Sequence, residues 1–347
     1  MKIAVIGAGW YGCHISLSLI QKGIEVDIFE KASSTISAAS KKNQNRLHLG
    51  FHYPRDSITR NQSREGFDWF VEHYPHLIRD IPNNFYSVAN EKSYIDSDTY
   101  EIIMKGSGLD FEKKELTSFT QAKFENIGPL LLCNEKVIRN DLASAFFNDI
   151  LSKHLRFNTF VDLNNDLVRK TLEDKYDYII DCTWGRAQVI KDIDYYFEPC
   201  IYFYYDKKDD KHFALTVMDG MHYSLYPYYD QTYTLTSVEH TPLGQFNSLN
   251  ESLSALAGAK ANRNLIKDKR VFFEKEFSKI YPNFLNDFEY KDVEFSLKTK
   301  IKSSTDFRGC LVKKVGKVIS VFSGKIDTLH IAEREVSKVI HGGLDES

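Results

Sequence analysis

The chain has 347 residues, and its 45 Lys and Arg against 48 Asp and Glu give a formal net charge of −3 at pH 7. This length favours two closely connected domains, and 42% hydrophobic with 27% charged residues excludes a disordered or fibrous protein. The chain lacks the excess of basic residues that would indicate nucleic-acid binding. No apolar run approaches the roughly 20 residues that a membrane-spanning helix needs.

The cysteine pattern gives no sign of disulfides or a metal site. The five cysteines are odd in number and widely spaced, with no C-x-x-C pair and no His at metal-ligand spacing. We therefore expect reduced structural thiols. Only Met1 precedes the first predicted strand, so we expect no signal peptide and predict a cytoplasmic protein.

The first predicted elements form a dinucleotide-binding unit. An apolar strand, Lys2–Ile6, is followed at once by Gly7-Ala8-Gly9-Trp10-Tyr11-Gly12, which is G-x-G-x-x-G. Residues 13–21 then predict a helix, and Gly23 ends it before a second strand, Glu25–Phe29. Strand, glycine loop and helix in this order are the context that the motif requires.

Each glycine of the motif has a physical role. Gly7 permits the tight strand-to-helix turn, Gly9 lets the backbone approach a pyrophosphate, and Gly12 allows close contact between helix and sheet. Glu30 follows the second strand, where its carboxylate can accept hydrogen bonds from ribose hydroxyls. A dinucleotide without a 2′-phosphate is therefore predicted, but the spacing leaves NAD and FAD both open.

The chain after Glu30 does not continue with the strand and helix repeats usual in a nicotinamide domain. A polar stretch, 31–42, leads to Asn-Gln-Asn-Arg-Leu-His-Leu-Gly-Phe-His-Tyr-Pro at 43–54. This region resembles the FAD-dependent oxidoreductases of the D-amino-acid oxidase and glycine oxidase superfamily, locally the L-2-hydroxyglutarate and glycerol-3-phosphate dehydrogenases. In those proteins such a stretch leads from the pyrophosphate to the flavin ring. The matching residues here are Ser40, Asn43, His48, Gly50 and Tyr53.

Two segments in the middle of the chain extend the resemblance. An amphipathic helix N-capped by Asn140 is predicted over Asn140–Ile150, followed by a strand over 157–161, in which the residue matching Val161 presents its backbone to adenine in the family. A buried strand over 176–181 ends in Cys182-Thr183-Trp184-Gly185. This resembles the family's D-x-x-I-x-A-T-G element, from which Trp184 departs.

The C-terminal part completes the resemblance. A strand over Val318–Phe322 leads through Ser323-Gly324-Lys325-Ile326-Asp327-Thr328 to a helix over Leu329–Ile340. In the family, this turn places backbone N–H groups and a helix N-terminus against the pyrimidine edge of the flavin. The resemblance therefore implies FAD rather than NAD.

The remaining segments predict a second domain that covers the flavin. Short aromatic and β-branched runs at 202–205, 213–217, 223–226 and 232–238 predict an antiparallel sheet, and 250–288 is largely helical with a turn at Pro282. The predicted fold is α/β, with a Rossmann-like FAD-binding domain and an inserted antiparallel-sheet substrate, or lid, domain. We assign 1–80, 136–197 and 300–347 to the FAD-binding domain, and 81–135 and 198–299 to the lid domain.

The motif and the resemblance together predict the residues that hold FAD. They are Gly7, Gly9, Trp10, Tyr11, Gly12, Glu30, Lys31, Ser40, Asn43, Arg46, Leu47, His48, Val161, Thr183, Gly185, Gly324, Lys325, Ile326 and Asp327. For Lys325 the backbone is expected near the flavin. Its side chain could contact the reduced flavin or the pyrophosphate, or be solvated.

Four residues are candidates for catalysis. Arg308 matches a position where family members often keep an arginine for the substrate anion, although a surface ion pair with Asp306 explains it equally well. Arg46 is the second candidate and could instead bind the phosphates. His48 is the candidate base, or alternatively a packing residue or a hydrogen-bond donor to the flavin. Tyr226 shares a predicted strand face with His222 and Ser224, which is either a substrate wall or a solvent-facing side.

The predicted function is that of an FAD-dependent oxidoreductase. As an oxidase or dehydrogenase it would take a hydride from a CH–OH or CH–NH group of a small anionic metabolite, such as a 2-hydroxy or 2-amino acid. Two alternatives stay open. One is a non-redox flavoenzyme acting on a sugar nucleotide, such as a mutase, and the other is a non-catalytic FAD-binding subunit. The sequence does not indicate the oligomeric state.

Overall fold

The computed structural model of the chain describes residues 1–114, 123–190, 193–220, 222–302 and 309–342. Strands alternate with helices at both ends of the chain and dominate its middle. The strands are β1 (Lys2–Ile6), β2 (Glu25–Phe29), β3 (Arg46–Leu47), β4 (Ile78–Asp80), β5 (Asn84–Val88), β6 (Glu112–Lys114), β7 (Leu130–Cys133), β8 (Lys136–Ile138), β9 (Leu155–Arg156), β10 (Tyr178–Asp181), β11 (Tyr195–Lys207), β12 (Ala214–Met218), β13 (Tyr223–Tyr229), β14 (Thr232–Ser237), β15 (Phe288–Ile301), β16 (Leu311–Val315) and β17 (Val318–Phe322). The helices are α1 (Trp10–Gln21), α2 (Ser57–His73), α3 (Ser97–Gly106), α4 (Asn140–Ile150), α5 (Asp166–Lys175), α6 (Leu249–Ala261), α7 (Arg263–Phe277), α8 (Phe284–Asp287) and α9 (Leu329–Ile340).

The first sheet carries the glycine loop. Its order is β16-β17-β10-β1-β2-β9, and all neighbours are parallel except β16, which pairs antiparallel with β17. Its buried strands form one apolar core with α1, α4 and α9. The carboxyl ends of β1, β2, β10 and β17 lie at one edge, because Ile6 pairs with both Phe29 and Asp181. In open parallel sheets this edge is where ligands bind.

The second sheet is formed by the middle of the chain. Its order is β15-β11-β14-β13-β12-β5-β7-β6, with antiparallel pairs except for the parallel pair of β12 and β5. One face packs against α6, α7 and α8 through a core rich in phenylalanine and tyrosine, which includes Phe273, Phe277 and Phe284. The aromatic content of the sequence is therefore partly explained by this core.

A small third sheet consists of β3, β4 and β8. β8 is its central strand and pairs antiparallel with β3 and with β4. β3 contains Arg46 and Leu47, so two predicted site residues are fixed by main-chain hydrogen bonds to a segment about ninety residues later.

The predicted elements are mostly confirmed, although several strands have other bounds, such as β10, which begins at Tyr178, and β11, which is longer than predicted. The helix predicted over 13–21 begins at Trp10, and the region 250–288 breaks at Asn262, whose side chain accepts from the Leu265 N–H and begins a new helix. The strand predicted over 157–161 was wrong. Only Leu155–Arg156 is a strand, because Asn158 adopts a positive φ of 54° that turns the chain. The capping role predicted for Asn140 was also wrong, since its side chain makes no cap hydrogen bond.

The strands of the three sheets come from different parts of the chain. The first and third sheets use strands from 1–80, 136–197 and 300–347, and the second sheet uses 81–135 and 198–299, apart from the ends of β11 and β15. The α/β class with an added, mainly antiparallel sheet is confirmed. The exact domain boundaries stay a prediction.

Two further features concern other kinds of site. No helix in the described ranges combines the length and the apolar character that crossing a bilayer requires. All five cysteines are free, and three of them are buried: Cys13, Cys133 and Cys200.

Candidate active site

The glycine loop has the backbone geometry of an anion-binding turn. Gly7 has a φ of +93°, and a Cβ on Gly12 would lie 1.8 Å from the Gly7 carbonyl oxygen, so only glycine fits. Gly9 caps α1, which has no side-chain cap and no acidic residue in its first turn within the described chain. The first N–H groups of a helix have no partner within the helix. They therefore fit a phosphate, whose charge the helix dipole favours.

Glu30 lies at the carboxyl end of β2 beside this loop. It is buried, and its carboxylate accepts hydrogen bonds from the Ala8 N–H at 2.7 Å and the Ala32 N–H at 2.9 Å. The two bonds fix the carboxylate and leave lone pairs that fit ribose hydroxyls. Lys31 is exposed next to it. Val161 is buried in a cluster that also contains Ile6 of β1, so its side chain packs against the first sheet.

The segment after Glu30 is held against α1 by amide side chains. Asn43 accepts the Asn45 N–H at 2.6 Å and donates to the Ala39 carbonyl at 2.8 Å. Asn140 donates to the Ser40 carbonyl at 2.9 Å and accepts from the Trp10 indole N–H at 2.7 Å. Asn140 therefore fastens residues 31–54, called the site segment below, instead of capping its helix.

Two predicted aromatic cofactor residues use their side chains inside the protein. The indole of Trp10 is buried against Phe70, Tyr74 and Phe147. Its backbone N–H donates a long hydrogen bond of 3.4 Å to the Ser40 hydroxyl, so a cofactor could contact Trp10 only through the main chain. The Tyr11 hydroxyl contacts the Lys325 carbonyl and is 2.7 Å from the Thr328 hydroxyl. Tyr11 thus ties α1 to the turn before α9.

The turn after β10 is organised by Thr183. Its N–H and hydroxyl donate to one carboxylate oxygen of Asp181, at 2.9 and 2.6 Å, and its hydroxyl accepts from the Ala187 N–H at 2.8 Å. Burial raises the pKa of Asp181 above its usual value, and the bonds from Thr183 oppose that effect. Gly185 has a φ of +74°. A glycine there lets the backbone turn at the edge where the motif lies.

Trp184, which departs from the family pattern, packs against the turn before α9. A Cβ on Gly324 would lie 2.4 Å from Cζ2 of Trp184, so the indole packs directly on the turn before α9. In that turn, the Lys325 ammonium contacts the Ser63 hydroxyl, lies 3.1 Å from the Asp327 carboxylate and 3.8 Å from the Tyr53 ring centroid. Ile326 is half-buried and Asp327 buried. The Lys325 side chain is therefore held among protein groups, not solvated.

Three of the candidate catalytic residues lie where the third sheet meets the second sheet. Arg46 is 7% exposed, and its guanidinium carbon lies 3.9 Å from the Tyr226 ring centroid. Its Nη1 donates to the Thr216 hydroxyl at 2.7 Å, whereas Nε and Nη2 have no hydrogen-bond partner in the described ranges. The Tyr226 hydroxyl is likewise buried without such a partner. Leu47 is fully buried in the core below.

His48 lies beside two more aromatic rings of its own segment. Its ring centroid is 5.4 Å from that of His52 and 6.0 Å from that of Tyr53. Its Nδ1 is 3.6 Å from a carboxylate oxygen of Glu135. The structure thus brings together Arg46, His48 and Tyr226, while Arg308 lies outside the described residues.

Glu135 is the residue that sequence reasoning missed. It is fully buried, and it accepts hydrogen bonds from the Leu49 N–H and the Tyr86 hydroxyl, each at 2.9 Å. Burial alone would raise the pKa of Glu135, but His48, Arg46 and the Leu49 N–H outweigh it, so the pKa is lowered. The only signal in the sequence was an acid in the turn between two apolar runs, which ordinarily indicates a solvated loop.

The glycine loop, the start of α1 and Glu30 fit the diphosphate and ribose of a dinucleotide. The unfilled donors of Arg46 belong to β3, and the turn before α9 follows β17. The family resemblance implies that these parts of the chain lie at the flavin end of the cofactor. No family model matches the chain. The chain is 36% identical over 342 residues to the FAD-dependent monooxygenase FPY4 of Fusarium mangiferae, covering 98% of this chain and 91% of that protein.

Solved structures with the same fold extend the comparison. L-alpha-glycerophosphate oxidase from Mycoplasma pneumoniae with FAD bound matches with a TM-score of 0.72 and 14% identity, covering 98% of this chain and 94% of that one. Glycine oxidase from Geobacillus kaustophilus matches with a TM-score of 0.69 and 12% identity, covering 99% and 96%. The chain therefore has the fold of the D-amino-acid oxidase and glycine oxidase superfamily, and it belongs with FPY4 to a family of FAD-dependent oxidoreductases.

Proposed function

We propose that this oxidoreductase takes a hydride from a CH–OH or CH–NH group of a small anionic metabolite, such as a 2-hydroxy or 2-amino acid. The observation that carries the proposal is the buried guanidinium of Arg46, with two unfilled donor atoms, close to His48 in the sequence and on the same segment. Bound FAD would supply the electron acceptor for this chemistry.

Arg46 is suited to hold an anionic group. A buried donor without a partner is costly, so the Nε and Nη2 positions favour a ligand that can accept from them. A carboxylate can accept two parallel bonds from a guanidinium. Thr216 and the Tyr226 ring hold the guanidinium from β12 and β13. The substrate anion would therefore lie between the site segment and the second sheet.

His48 is suited to accept the proton of an alcohol. In the proposed reaction the O–H bond of the substrate breaks and its proton goes to the imidazole, a C=O bond forms, and a hydride leaves the carbon that carries the oxygen. Bound FAD would accept this hydride, which is the hydrogen together with the electron pair of its C–H bond. Imidazole suits this role because it ordinarily titrates near neutral pH.

For the cofactor, we propose that the glycine loop and the start of α1 bind the diphosphate and that Glu30 binds the ribose. The turns at Thr183 and Gly324 would border the remainder through their backbones. The other predicted cofactor residues keep their assignments as proposals, with Trp10 and Tyr11 acting through the main chain.

The test begins with the absorption spectrum of the purified protein and anaerobic addition of 2-hydroxy acids, amino acids and glycerol phosphates. We expect one class to bleach the flavin band. In Arg46→Lys, which keeps the charge but loses the planar fork, we expect the KM for that substrate to rise by tenfold or more with FAD content unchanged. Bleaching by neutral analogues equally well in both proteins would contradict the anionic substrate.

A second candidate is insertion of oxygen, which is favoured by the similarity to FPY4, an FAD-dependent monooxygenase. One oxygen atom would enter the substrate and the other would leave as water, so an external two-electron donor such as NADPH would be required. Bleaching by NADPH but by no compound of the panel, together with ¹⁸O from ¹⁸O₂ in the product, would favour this candidate.

A further inference from the structure

The inference concerns Glu135, a buried carboxylate in the turn between β7 and β8. It is 0% exposed, and a buried charge is stable only when it is paired and hydrogen-bonded. The Leu49 N–H and the Tyr86 hydroxyl supply one hydrogen bond to each carboxylate oxygen. These two bonds fix the plane of the carboxylate from the site segment on one side and from β5 on the other.

The third neighbour of the carboxylate is His48. The distance from Nδ1 to the carboxylate oxygen is 3.6 Å, which is within ion-pair range but longer than a hydrogen bond. Such bonds between catalytic groups often tighten when substrate binds. The carboxylate oxygen concerned also accepts from the Leu49 N–H, the residue next to His48. The Leu49 N–H and the His48 ring therefore both lie beside the same carboxylate oxygen of Glu135.

We propose that Glu135 is a positioning residue for His48: its carboxylate selects the tautomer with the proton on Nδ1 and leaves Nε2 to accept the substrate proton. The inference rests on the proposed function, in which His48 is the base. When the imidazole gains that proton, its new positive charge lies beside a carboxylate, which stabilises it. Glu135 does not itself take the proton.

The other groups around Glu135 do not compete with His48 as bases. The groups that face the carboxylate are Arg46 and His48 from the site segment, Tyr86 from β5, Cys133 from β7, Tyr226 from β13 and Tyr100 from α3. Burial raises the pKa of the three tyrosines and of the Cys133 thiol well above their usual values. They stay protonated in the neutral range, so they do not compete as bases.

The first experiment compares the wild-type holoenzyme with Glu135→Gln, which keeps the shape and removes the charge. We expect the rate of anaerobic flavin bleaching to fall by about tenfold to a hundredfold. The acid limb of its pH profile should move to lower pH, because the imidazole loses its anionic partner. Glu135→Asp should restore the wild-type limb. Glu198→Gln, another buried acid, paired with Lys300 on the second sheet, should leave the profile unchanged.

A second measurement does not depend on activity. ¹⁵N NMR of the imidazoles, with His48 assigned by its loss in His48→Gln, should show the Nδ1–H tautomer in the wild type and a lower titration midpoint in Glu135→Gln. If no substrate is found but this signature is present, the proposed function fails and the positioning inference stands. An unmoved tautomer and an unmoved pH profile in folded Glu135→Gln would overturn the inference, whether or not the flavin bleaches.

Discussion

At the scale of single residues, the site depends on a cation that its neighbours satisfy only in part. In the part of the chain that the structure describes, the Arg46 guanidinium has one hydrogen bond, to Thr216, and one ring contact, with Tyr226. Sequence reasoning proposed Arg46 and His48 from the family resemblance and Tyr226 from strand alternation. It could not identify Glu135, because nothing in the local sequence shows that a turn acid is fully buried beside a segment about ninety residues earlier.

The hydrogen bond from Arg46 to Thr216 can be tested through stability. Thr216→Val removes the hydroxyl acceptor and leaves another donor of a buried guanidinium without a partner. We expect the free energy of unfolding to fall by about 1–3 kcal/mol in a denaturant titration. Thr216→Ser keeps the hydroxyl and is the matched control. A free energy of unfolding that is unchanged in Thr216→Val would contradict the contribution of the hydrogen bond.

At the scale of elements, α2 packs against the turn before α9 through a glycine that the sequence analysis did not consider. A Cβ on Gly66 would lie 1.6 Å from the Asp327 carbonyl oxygen. Gly66→Ala must therefore push α2 from the turn, and we expect a loss of about 1–3 kcal/mol in the free energy of unfolding.

The control for this change is Gly258→Ala, which lies in the exposed face of α6 with no atom within 4 Å of the added Cβ. An alanine there should stabilise the protein by about 0.5–1 kcal/mol, because glycine is a poor residue in a helix interior. Chemical denaturation measures both variants. A Gly66→Ala protein as stable as Gly258→Ala would show that the close approach is not maintained in solution.

The docking of α9 on α1 gives a prediction for acid. The Glu333 carboxylate accepts from the Ser18 hydroxyl and lies 3.2 Å from both His14 and Lys22. The bond from His14 is the main reason that the pKa of Glu333 is lowered to about 2. A lowered folded-state pKa contributes stability above the ordinary value of about 4.5, and this contribution is lost as pH falls toward 2.

Glu333→Gln should therefore lose about 1–2 kcal/mol at neutral pH, after allowance for solvent screening, and its stability should fall less between pH 4.5 and 2. Urea titrations across this range measure the effect. Glu72→Gln, at an exposed position on α2, is the control and should follow the wild-type curve. Parallel curves for wild type and Glu333→Gln would contradict the assigned interaction.

The elements also show which parts of the fold local sequence determines. β1, β2 and β17 and the helix over Leu329–Ile340 matched their predicted bounds, because each has a clear apolar pattern and a glycine or polar end. The strand over 157–161 failed because a single positive φ at Asn158 turns an otherwise suitable run. Asn140 failed as a cap because tertiary partners, Trp10 and Ser40, take its side chain.

At the scale of the whole molecule, the site segment joins the two large sheets. Gln44 donates to the Thr234 hydroxyl at 3.1 Å, and the Lys42 ammonium is 3.0 Å from the Glu294 carboxylate. The predicted architecture was correct at this scale because the resemblance touched both ends of the chain. Pattern alone predicted only that the middle forms a sheet, and it did not predict the parallel pair of β12 and β5.

A cofactor that contacts elements from both ends of the chain should stabilise the whole protein. We expect removal of FAD to lower the melting temperature and added FAD to restore it, since a ligand at a hundred times its Kd stabilises by about 2.7 kcal/mol. Thermal unfolding of protein stripped of flavin, with and without FAD, measures this. NAD at the same concentration is the control, and an equal shift with NAD would contradict selective binding.

The strand order of the first sheet has a consequence for synthesis of the chain. β1 is made before its neighbour β10, which begins at Tyr178, and β17, which covers the far side of β10, begins only at Val318. During translation the edge of β10 therefore stays open until β17 leaves the ribosome, and open strand edges invite aggregation. Chains that terminate before β17 should consequently be clients of chaperones or proteases, even though they already contain the whole second sheet.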